Sequence, residues 1–351
     1  MPDANTGEKA RRKWIITGGA GFIGCHAASR FLETGDEVIV VDNLSRRGAQ
    51  ANLDWLRERG LEQFAQVDIR DAGALCDLLG RHADADAVLH LAGQVAVTTS
   101  VVDPRADFEI NALGTFNVLE AVRTAAAGGP AVLYSSTNKV YGGMESLRIV
   151  ERDGRYAYAD HPSGVDESHP LDFHSPYGCS KGCGDQYVID YARIYGMKTV
   201  AFRQSCIYGT RQFGIEDQGW IAWFCVAATM GRPFTIFGDG KQIRDALWVG
   251  DLIDAYERAL ARIDRVRGEA FNVGGGPGNT LSLNELVARL ESAFGRRFDV
   301  PYADWRPGDQ RVFVADVGKA RRLLDWEPTT PIGEGVDRLL GWVRGNSHLF
   351  A

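Results

Sequence analysis

Three residues have the types and spacing of a group that removes a proton from an alcohol. Tyr177 and Lys181 stand four positions apart, so on a helix they share one face and the ammonium group can reach the phenol oxygen. We expect this positive charge to lower the pKa of Tyr177 from its usual ~10 toward working pH. Thr137 follows a short apolar run and can hydrogen-bond the same substrate oxygen. The three residues predict acid–base catalysis coupled to hydride transfer.

A glycine-rich turn near the start of the chain is typical of dinucleotide binding. Gly18, Gly21 and Gly24 lie between a predicted strand and a predicted helix, where free N–H groups and the helix dipole face a pyrophosphate. Phe22 and Ile23 belong to the same turn. We expect all five residues to contact a bound dinucleotide.

The end of the second predicted strand distinguishes the two nicotinamide cofactors. Asp42 stands roughly 20 residues beyond Gly18, where a carboxylate accepts hydrogen bonds from the ribose hydroxyls of NAD. Arg46 and Arg47 favour NADP, because guanidinium groups bind its 2′-phosphate. The Asp42 carboxylate would repel that phosphate. NAD is therefore the predicted cofactor and NADP the alternative.

The segments that position these residues alternate between short apolar runs and amphipathic stretches. The predicted strands are residues 14–17, 38–41, 87–91, 131–135, 199–202 and 270–273, and the predicted helices are residues 22–33, 104–125 and 176–195. This alternation predicts an α/β fold with a doubly wound parallel sheet, the Rossmann arrangement.

The alternation loosens in the second half of the chain, which predicts a smaller, discontinuous α/β substrate domain. We assign residues 12–207 and 247–276 to the NAD-binding domain, and residues 208–246 and 277–345 to the substrate domain. Residues 142–175 are long and polar, so they predict a functional loop or lid.

Composition excludes several other classes of protein. The 351 residues are 45% hydrophobic and 24% charged, as in ordinary globular proteins. A net charge of −7 without a clustered cationic face argues against nucleic-acid binding. The six cysteines lack metal-ligand spacing, so we expect no metal and reduced thiols in the cytoplasm. The polar residues 1–13, and the lack of an apolar run of ~18 residues, predict neither export nor membrane anchoring.

The glycine spacing and the Tyr177, Lys181 and Thr137 set resemble the extended short-chain dehydrogenase/reductase superfamily. That resemblance implies that residues after the later strands and in the following helix contact the cofactor or hold a structural water. These residues are Asn43, Asp68, Ile69, Leu91, Ala92, Gln94 and Asn111. His90, within the same stretch, is expected to be a buried core residue.

The residues after Thr137 distinguish the reactions of the resembled enzymes. Sugar-nucleotide 4,6-dehydratases of that superfamily carry Asp-Glu at these positions, and related decarboxylases carry Glu. Here the pair is Asn138 and Lys139, so no carboxylate is present to protonate a leaving hydroxyl. Oxidation followed by re-reduction, which is epimerisation, is the reaction this favours. NAD is then regenerated at each turnover and is expected to stay bound.

The second half of the chain carries polar residues where the resembled epimerases bind a nucleotide-diphosphate sugar. Bidentate guanidinium groups suit phosphate. The residues expected to bind substrate are Gln94, Asn138, Cys206, Arg211, Arg244, Arg306 and Asp309. Trp220, Trp223 and Phe224 lie on a very apolar helix, and we assign them to the core or a subunit contact in preference to base stacking.

Longer motifs resemble one branch of the superfamily, the CDP-paratose (CDP-tyvelose) 2-epimerases. They are DNLSRRGAQANLDWL, HLAGQVAVTTS, YSSTNKVYG, DESHPLDFHSPYGCSKG, RQFGIEDQGWIAWF and DQRVFVAD. The resemblance implies inversion at C2 of a CDP-linked hexose through a transient 2-keto sugar. Cys206 stands where UDP-hexose 4-epimerases usually have Asn, and Gln204 stands where the 2-epimerase branch has His.

Three alternatives to that reaction stay open. The first is a C4-epimerase, or a C2-epimerase of another nucleotide hexose, and the second is a net nucleotide-sugar dehydrogenase or reductase. The third is a catalytically silent dinucleotide-binding sensor, which the intact catalytic residues disfavour. By analogy with the superfamily, a homodimer through the helices at 104–125 and 176–195 is expected.

Overall fold

The computed structural model of the protein describes residues 11–127, 129–306 and 308–351. The polar start of the chain, predicted over residues 1–13, falls outside the described residues as far as residue 10. The strands are β1 (Lys13–Thr17), β2 (Glu37–Val41), β3 (Gln63–Ala65), β4 (Ala87–His90), β5 (Ala131–Thr137), β6 (Ile149–Arg152), β7 (Arg155–Tyr158), β8 (Thr199–Gln204), β9 (Cys206–Tyr208), β10 (Ile236–Phe237), β11 (Ile243–Trp248), β12 (Ala270–Val273), β13 (Thr280–Ser282), β14 (Tyr302–Ala303) and β15 (Val312–Phe313).

Helices cover both faces of the main sheet. The α-helices are α1 (Phe22–Glu33), α2 (Ala49–Arg57), α3 (Ala72–Arg81), α4 (Val97–Val102), α5 (Pro104–Phe108), α6 (Gly114–Thr124), α7 (Ser175–Tyr195), α8 (Trp220–Met230), α9 (Val249–Ala261), α10 (Ile263–Val266), α11 (Leu283–Phe294), α12 (Gly318–Leu324) and α13 (Ile332–Gly345). Short 3₁₀ turns cover Asn138–Tyr141, Pro277–Asn279 and Ser347–Phe350.

The central sheet is parallel throughout, with the strand order β3-β2-β1-β4-β5-β8-β12. Its strands are near-continuous apolar runs because helices cover both faces; Trp14, Ile15 and Ile16 of β1 are fully buried. The chain leaves β1 toward β2 on one side and returns to β4 on the other, which opens a crevice at the carboxyl ends of the strands. The doubly wound Rossmann prediction is confirmed.

A second, smaller sheet forms around β11 in the later part of the chain. β11 pairs in parallel with β9 and β15 and antiparallel with β13. Phe224 of α8 belongs to a separate apolar cluster, against which Trp220 and Trp223 pack. Trp220 and Phe224 also line the cavity described below, so their assignment to the core or a subunit contact stays a prediction. β11 runs across the predicted boundary between residues 246 and 247, since its first half pairs with β13 and its second half with β9. The domain boundaries remain a prediction.

The predicted helix at 104–125 is broken in its middle. A π-helical turn over Glu109–Leu113 separates α5 from α6. Within it, the Asn111 carbonyl accepts a hydrogen bond from Thr115 Oγ1 at 2.6 Å, while the Asn111 side chain reaches the loop after β4. A single π-helical turn often marks a functional site. Here it carries Asn111, whose side chain donates to Ser180, the residue before Lys181.

The predicted loop at 142–175 is wrong in part, because it contains the hairpin β6–β7. Asp153 and Gly154 form the hairpin turn and both have positive φ, 52° and 76°. Asp-Gly is the preferred pair for such a two-residue turn, so this hairpin could have been predicted from the sequence. Tyr156 Oη donates to Asp239 Oδ2 at 2.6 Å, which fastens the hairpin to the loop before β11.

Three further features of the described residues concern disulfides, membrane-spanning helices and metal sites. All six cysteines are free. In the described part of the chain, no helix has the length and apolar composition needed to cross a membrane. Groups of His, Cys, Asp or Glu arranged to hold a metal ion are also missing from the described residues.

Candidate active site

One cavity of about 580 Å³ joins the carboxyl ends of the central strands to the smaller sheet. With the exception of Asn111, the residues predicted for the cofactor, the catalytic group and the substrate all line it. The glycine turn, Tyr177 and the group Arg244, Arg306 and Asp309 all line it. After the roles predicted for them, we call the part around the glycine turn the cofactor end and the part around Arg244, Arg306 and Asp309 the nucleotide end. The sequence therefore predicted one continuous site.

The glycine turn fits a dinucleotide because no side chain fits there. A Cβ atom on Gly18, which has a φ of 69°, would lie 2.7 Å from the Ala92 nitrogen. A Cβ on Gly24 would lie 2.3 Å from the Gly18 carbonyl oxygen. Gly21 precedes α1 without a capping side chain, so the first N–H groups of that helix stay available to an anion.

Asp42 joins the glycine turn to the end of β2. Its Oδ2 accepts from the Ala20 nitrogen at 3.0 Å and its Oδ1 from the Leu44 nitrogen at 2.8 Å. Burial raises the pKa of Asp42, and the backbone N–H groups oppose that rise. The Arg46 guanidinium donates to Gln218 Oε1 at 3.3 Å, which links the turn after β2 to the loop before α8. The carboxylate is thus placed for the ribose contact that we predicted.

Asn43 and Asp68 close the same end of the cavity. Asn43 Nδ2 donates to Asp68 Oδ2 at 2.9 Å, and the Arg70 guanidinium pairs with that carboxylate at 2.8 Å. Hydrogen bonding to Arg70 holds the pKa of Asp68 well below its usual value. The carboxylate of Asp68 therefore stays charged at the cavity rim.

Tyr177 and Lys181 lie on one face of α7, opposite the end of β5. Lys181 Nζ donates to the Ser135 carbonyl oxygen at 2.5 Å and lies 4.3 Å from the centre of the Tyr134 ring. The Thr137 hydroxyl faces the same space at the last residue of β5. The structure thus brings the three predicted catalytic residues together.

Burial has the largest effect on the pKa values of Tyr177 and Lys181. Burial raises the pKa of Tyr177 to about 12, and a hydrogen bond with Thr137 opposes the rise. Burial also lowers the pKa of Lys181 to about 7, while Asp185 and Asp107 raise it. Without NAD, desolvation thus outweighs the cations near Tyr177. The predicted lowering of the tyrosine pKa also depends on the positive charge of the nicotinamide ring, and it stays a prediction.

Asn111 lies behind the cavity wall instead of lining it. Its Nδ2 donates to the Gln94 carbonyl oxygen at 3.1 Å and to Ser180 Oγ at 3.2 Å, and its Oδ1 accepts from the Gln94 nitrogen at 2.9 Å. The Gln94 amide is itself held by Asp107 and Ala96. Asn111 therefore fixes the loop after β4 against α7.

The nucleotide end of the cavity contains paired charges. Arg244 Nη2 lies 2.6 Å from Asp309 Oδ1, and Arg306 lies 3.3 Å from Asp217. Lys139 Nζ donates to the Gly308 carbonyl oxygen at 3.2 Å, and burial lowers its pKa to about 8. Lys139 is a cavity residue that we did not assign to the substrate, although its position next to Asn138 was a signal.

Arg211 lines the cavity beside α2. Its Nη1 donates to Asn52 Oδ1 at 3.3 Å, and its guanidinium lies 4.0 Å from the centre of the Trp55 ring. Asn52 in turn donates to the carbonyl oxygen of Ala20 in the glycine turn. Arg211 therefore lies next to α2 and the glycine turn, and its contact with the substrate stays a prediction.

Two buried polar residues sit behind the catalytic group. His90 hydrogen-bonds Thr17 at 2.7 Å and Thr115 at 3.0 Å, and burial lowers its pKa to about 3, as expected of a core histidine. Gln204 donates to Ser135 Oγ at 2.9 Å and to Tyr256 Oη at 2.6 Å. Gln204 therefore supports the strand end that Lys181 contacts.

Comparisons with known proteins agree with this arrangement. The model of the NAD dependent epimerase/dehydratase family matches residues 14–274. A CDP-paratose 2-epimerase from Salmonella typhi is 48% identical over 335 residues, which cover 94% of this chain and 98% of that protein. The UDP-glucose 4-epimerase of Thermotoga maritima, solved with UDP-glucose, has a TM-score of 0.81 at 30% identity and covers 95% of this chain and 99% of its own.

A second solved structure contains the expected cofactor. The UDP-glucose 4-epimerase of Thermus thermophilus, in complex with NAD, has a TM-score of 0.79 at 31% identity. The match covers 95% of this chain and 99% of that one. The likeness therefore extends over nearly the whole of this chain.

Proposed function

The chain belongs to the NAD dependent epimerase/dehydratase family, and from that premise we propose that it inverts C2 of a CDP-linked hexose or deoxyhexose. The 2-epimerase from Salmonella typhi, at 48% identity, supports this carbon and this nucleotide. The 4-epimerases of known structure are less similar, at about 30% identity, and are the weaker alternative. CDP-paratose and CDP-tyvelose are the substrates to test first.

The turn after Thr137 is the observation that carries the proposal. Asn138 Nδ2 donates to Gln310 Oε1 at 3.3 Å, and Lys139 donates to the loop of Gly308. Neither side chain is a carboxylic acid, so the acid that the resembled 4,6-dehydratases carry at these positions is missing here. A site without that acid favours epimerisation over dehydration.

NAD, when bound, supplies hydride acceptance and return and adds a positive charge to the site. The chain's own residues move the proton. Tyr177 Oη takes the proton of the sugar hydroxyl, and the Lys181 ammonium stabilises the phenolate. The Thr137 hydroxyl orients the same substrate oxygen. Tyr177 then returns the proton to the oxygen of the transient 2-keto sugar. C2 is inverted because the keto sugar turns in the cavity first, so that the hydride would return to its opposite face.

Polar residues at the far end of the cavity bind the nucleotide in this proposal. Arg244 and Arg306 bind the diphosphate, and Asp309 accepts hydrogen bonds from the ribose. The Arg306 guanidinium stacks 3.7 Å from the centre of the Phe237 ring, which keeps its planar face fixed. Asn138 and Cys206 also line the cavity, and in this proposal they contact the sugar.

We also propose a cytoplasmic homodimer. Exposed apolar side chains concentrate on α4 to α7, where Val102 is 86% and Ile194 is 62% exposed. Phe116 of α6 and Tyr187 of α7 contact each other edge to face at 5.9 Å, so they form one surface. A second copy of this face covers that surface in the dimer. Free cysteines fit a reducing compartment.

Proton NMR in deuterated water tests the proposed reaction. The purified protein is incubated with CDP-paratose, CDP-glucose and UDP-glucose without added cofactor, and the H2 and H4 couplings are followed. A changed H2 coupling on a CDP-sugar is the expected result. A changed H4 coupling would mean a 4-epimerase, and turnover only with added NAD would mean a net oxidoreductase.

Light scattering of the wild type and of Ile194→Glu tests the dimer, which the variant should dissociate.

A further inference from the structure

A carboxylate that the proposed reaction does not use lies buried against α7. Asp107 is 1% exposed and belongs to α5. Its Oδ2 accepts from Ser180 Oγ at 2.5 Å, and its Oδ1 accepts from Gln94 Nε2 and Asn111 Nδ2, both at 3.1 Å. These three donors belong to the loop after β4, the π-helical turn and α7. Asp107 is therefore the point at which these three segments meet.

All three hydrogen-bond donors to Asp107 are neutral. In the described ranges, no Lys, Arg or His forms an ion pair with it within 4 Å. The other carboxylate near the catalytic group, Asp185, is fully buried but pairs with Arg203 at 2.9 Å. A buried carboxylate without a directly paired cation is unfavourable unless another positive charge is close. Lys181, adjacent to Ser180 and 6% exposed, supplies such a charge.

From this geometry, and resting on the proposed function, we infer that Asp107 is a positioning residue for the catalytic pair. It fixes Ser180 and the Gln94 loop, and together with Asp185 it stabilises the charged form of Lys181. Asp107 is thus part of the electrostatic balance of the reaction, although it does not itself touch the substrate.

The electrostatics agree with that role. Asp107 and Asp185 both raise the pKa of Lys181 against burial, and Asp107 also raises that of Tyr177. In turn, the Lys181 charge opposes the burial that raises the pKa of Asp107. The coupling runs in both directions, as expected for charges that share one desolvated region.

Other groups also face the catalytic pair. Arg203 on β8 compensates Asp185, and Arg46, after β2, acts on the charge of Tyr177. His90 on β4 stays neutral because burial and the Lys181 charge lower its pKa. The ring of Tyr134 on β5 lies against the ammonium. None of these groups supplies a second uncompensated negative charge, so the removal of Asp107 should have a distinct effect.

The variant Asp107→Asn removes the charge and keeps the shape. The amide oxygen still accepts from Gln94 and Asn111, and the amide nitrogen can donate to Ser180. The active form carries a Tyr177 phenolate and a Lys181 ammonium, so the pKa values of these two groups set the limbs of the kcat/KM profile. Without the negative charge both protons leave more readily, and both limbs of the kcat/KM profile should move to lower pH, each by up to about one unit.

The matched control is Asp103→Asn. Asp103 precedes the same helix, and its replacement by Asn removes the same charge. It is exposed, and its side chain caps the Ala106 nitrogen. Both limbs of the kcat/KM profile of Asp103→Asn should stay at the same pH as in the wild type. If Asp107→Asn lowers kcat while both limbs stay in place, Asp107 has a purely structural role and the inference is overturned. Unchanged kinetics would overturn it as well. If Asp107→Asn does not fold, Asp107→Ser removes the same charge without added bulk.

A second readout needs no substrate. Phenolate absorbance near 295 nm is titrated in the NAD-loaded protein, and the signal of a Tyr177→Phe background is subtracted. The Tyr177 phenolate should form at lower pH in Asp107→Asn than in the wild type, and an identical midpoint would contradict the electrostatic role of Asp107. Because this titration does not involve a sugar nucleotide, its outcome is independent of whether the proposed substrate is correct.

Discussion

The ammonium of Lys181 on α7 and the carbonyl oxygen of Ser135 on β5 are 2.5 Å apart. This hydrogen bond joins the helix that carries Tyr177 to the strand that ends at Thr137. The catalytic residues are thus held by two adjacent elements of the central fold, and their relative position does not depend on a surface loop. Substitutions in this group should alter chemistry before they alter stability.

Replacing Tyr177 by Phe should abolish turnover with little change in fold. The variant loses only the proton acceptor, and such groups contribute about 10²- to 10⁴-fold in rate. We expect NAD content and thermal unfolding close to the wild type, with kcat reduced by that factor. Tyr302→Phe, which removes an exposed hydroxyl that donates to Asn284, is the control. Full activity of Tyr177→Phe would refute the assignment of the base.

Replacing Asp42 by Ala should release NAD. The carboxylate organises the glycine turn and is placed for the ribose hydroxyls, and a charge-assisted hydrogen bond of this kind contributes about 1.5–3 kcal/mol. The protein should lose most of its NAD on gel filtration and regain activity when NAD is added. Asp54→Ala, on the exposed side of α2, serves as the comparison. A changed sugar preference with NAD content intact would place Asp42 at the wrong end of the cavity.

Replacing Arg244 by Ala should weaken substrate binding more than the chemical step. The guanidinium pairs with Asp309 at the nucleotide end, and the loss of a charged hydrogen bond to phosphate raises KM roughly 10- to 100-fold. Arg148→Ala removes a comparable ion pair, with Asp160, on the exposed surface. Steady-state kinetics with both variants check this. A lower kcat with unchanged KM for Arg244→Ala would speak against a binding role.

The stability of the protein should fall as pH decreases through the histidine range. Burial lowers the pKa of His26 to about 4 and that of His90 to about 3, from an ordinary 6.5. Below pH 6.5 the unfolded chain takes up protons that the folded chain excludes, so the free energy of unfolding decreases. We expect a loss on the order of 1 kcal/mol per histidine between pH 6.5 and 5.5. Urea unfolding at both pH values measures it.

A variant assigns part of that pH dependence to one residue. His90→Asn keeps a polar side chain between Thr17 and Thr115 but does not titrate. The difference between its free energies of unfolding at pH 6.5 and 5.5 should be smaller than in the wild type. An equal difference would show that His90 does not contribute to it.

The sequence was sufficient for the sheet and the cavity because both follow from short-range patterns. Buried parallel strands are continuous apolar runs, and their carboxyl ends meet at one edge. Glycines such as Gly18 occur where a side chain would clash, so the turn is identifiable without coordinates. The relation of Tyr177 to Lys181 needs only the period of a helix.

The features that the sequence did not predict depend on long-range contacts or on a balance of opposing energies. The π-helical turn at Asn111 forms because its side chain finds partners on Gln94 and Ser180, which are distant in sequence. Asp107 looks like a surface carboxylate in the sequence, and only the packing of α5 against α7 buries it. The pKa of Tyr177 depends on the balance of burial and charge, which spacing alone does not determine.

The central claim is that C2 is oxidised and reduced within one bound sugar nucleotide. Its most direct test uses CDP-paratose deuterated at C2, in ordinary water, with the purified protein and no added cofactor. We predict conversion to the C2 epimer with the deuterium retained at C2. Loss of deuterium to solvent, or inversion at C4 with C2 unchanged, would contradict the account.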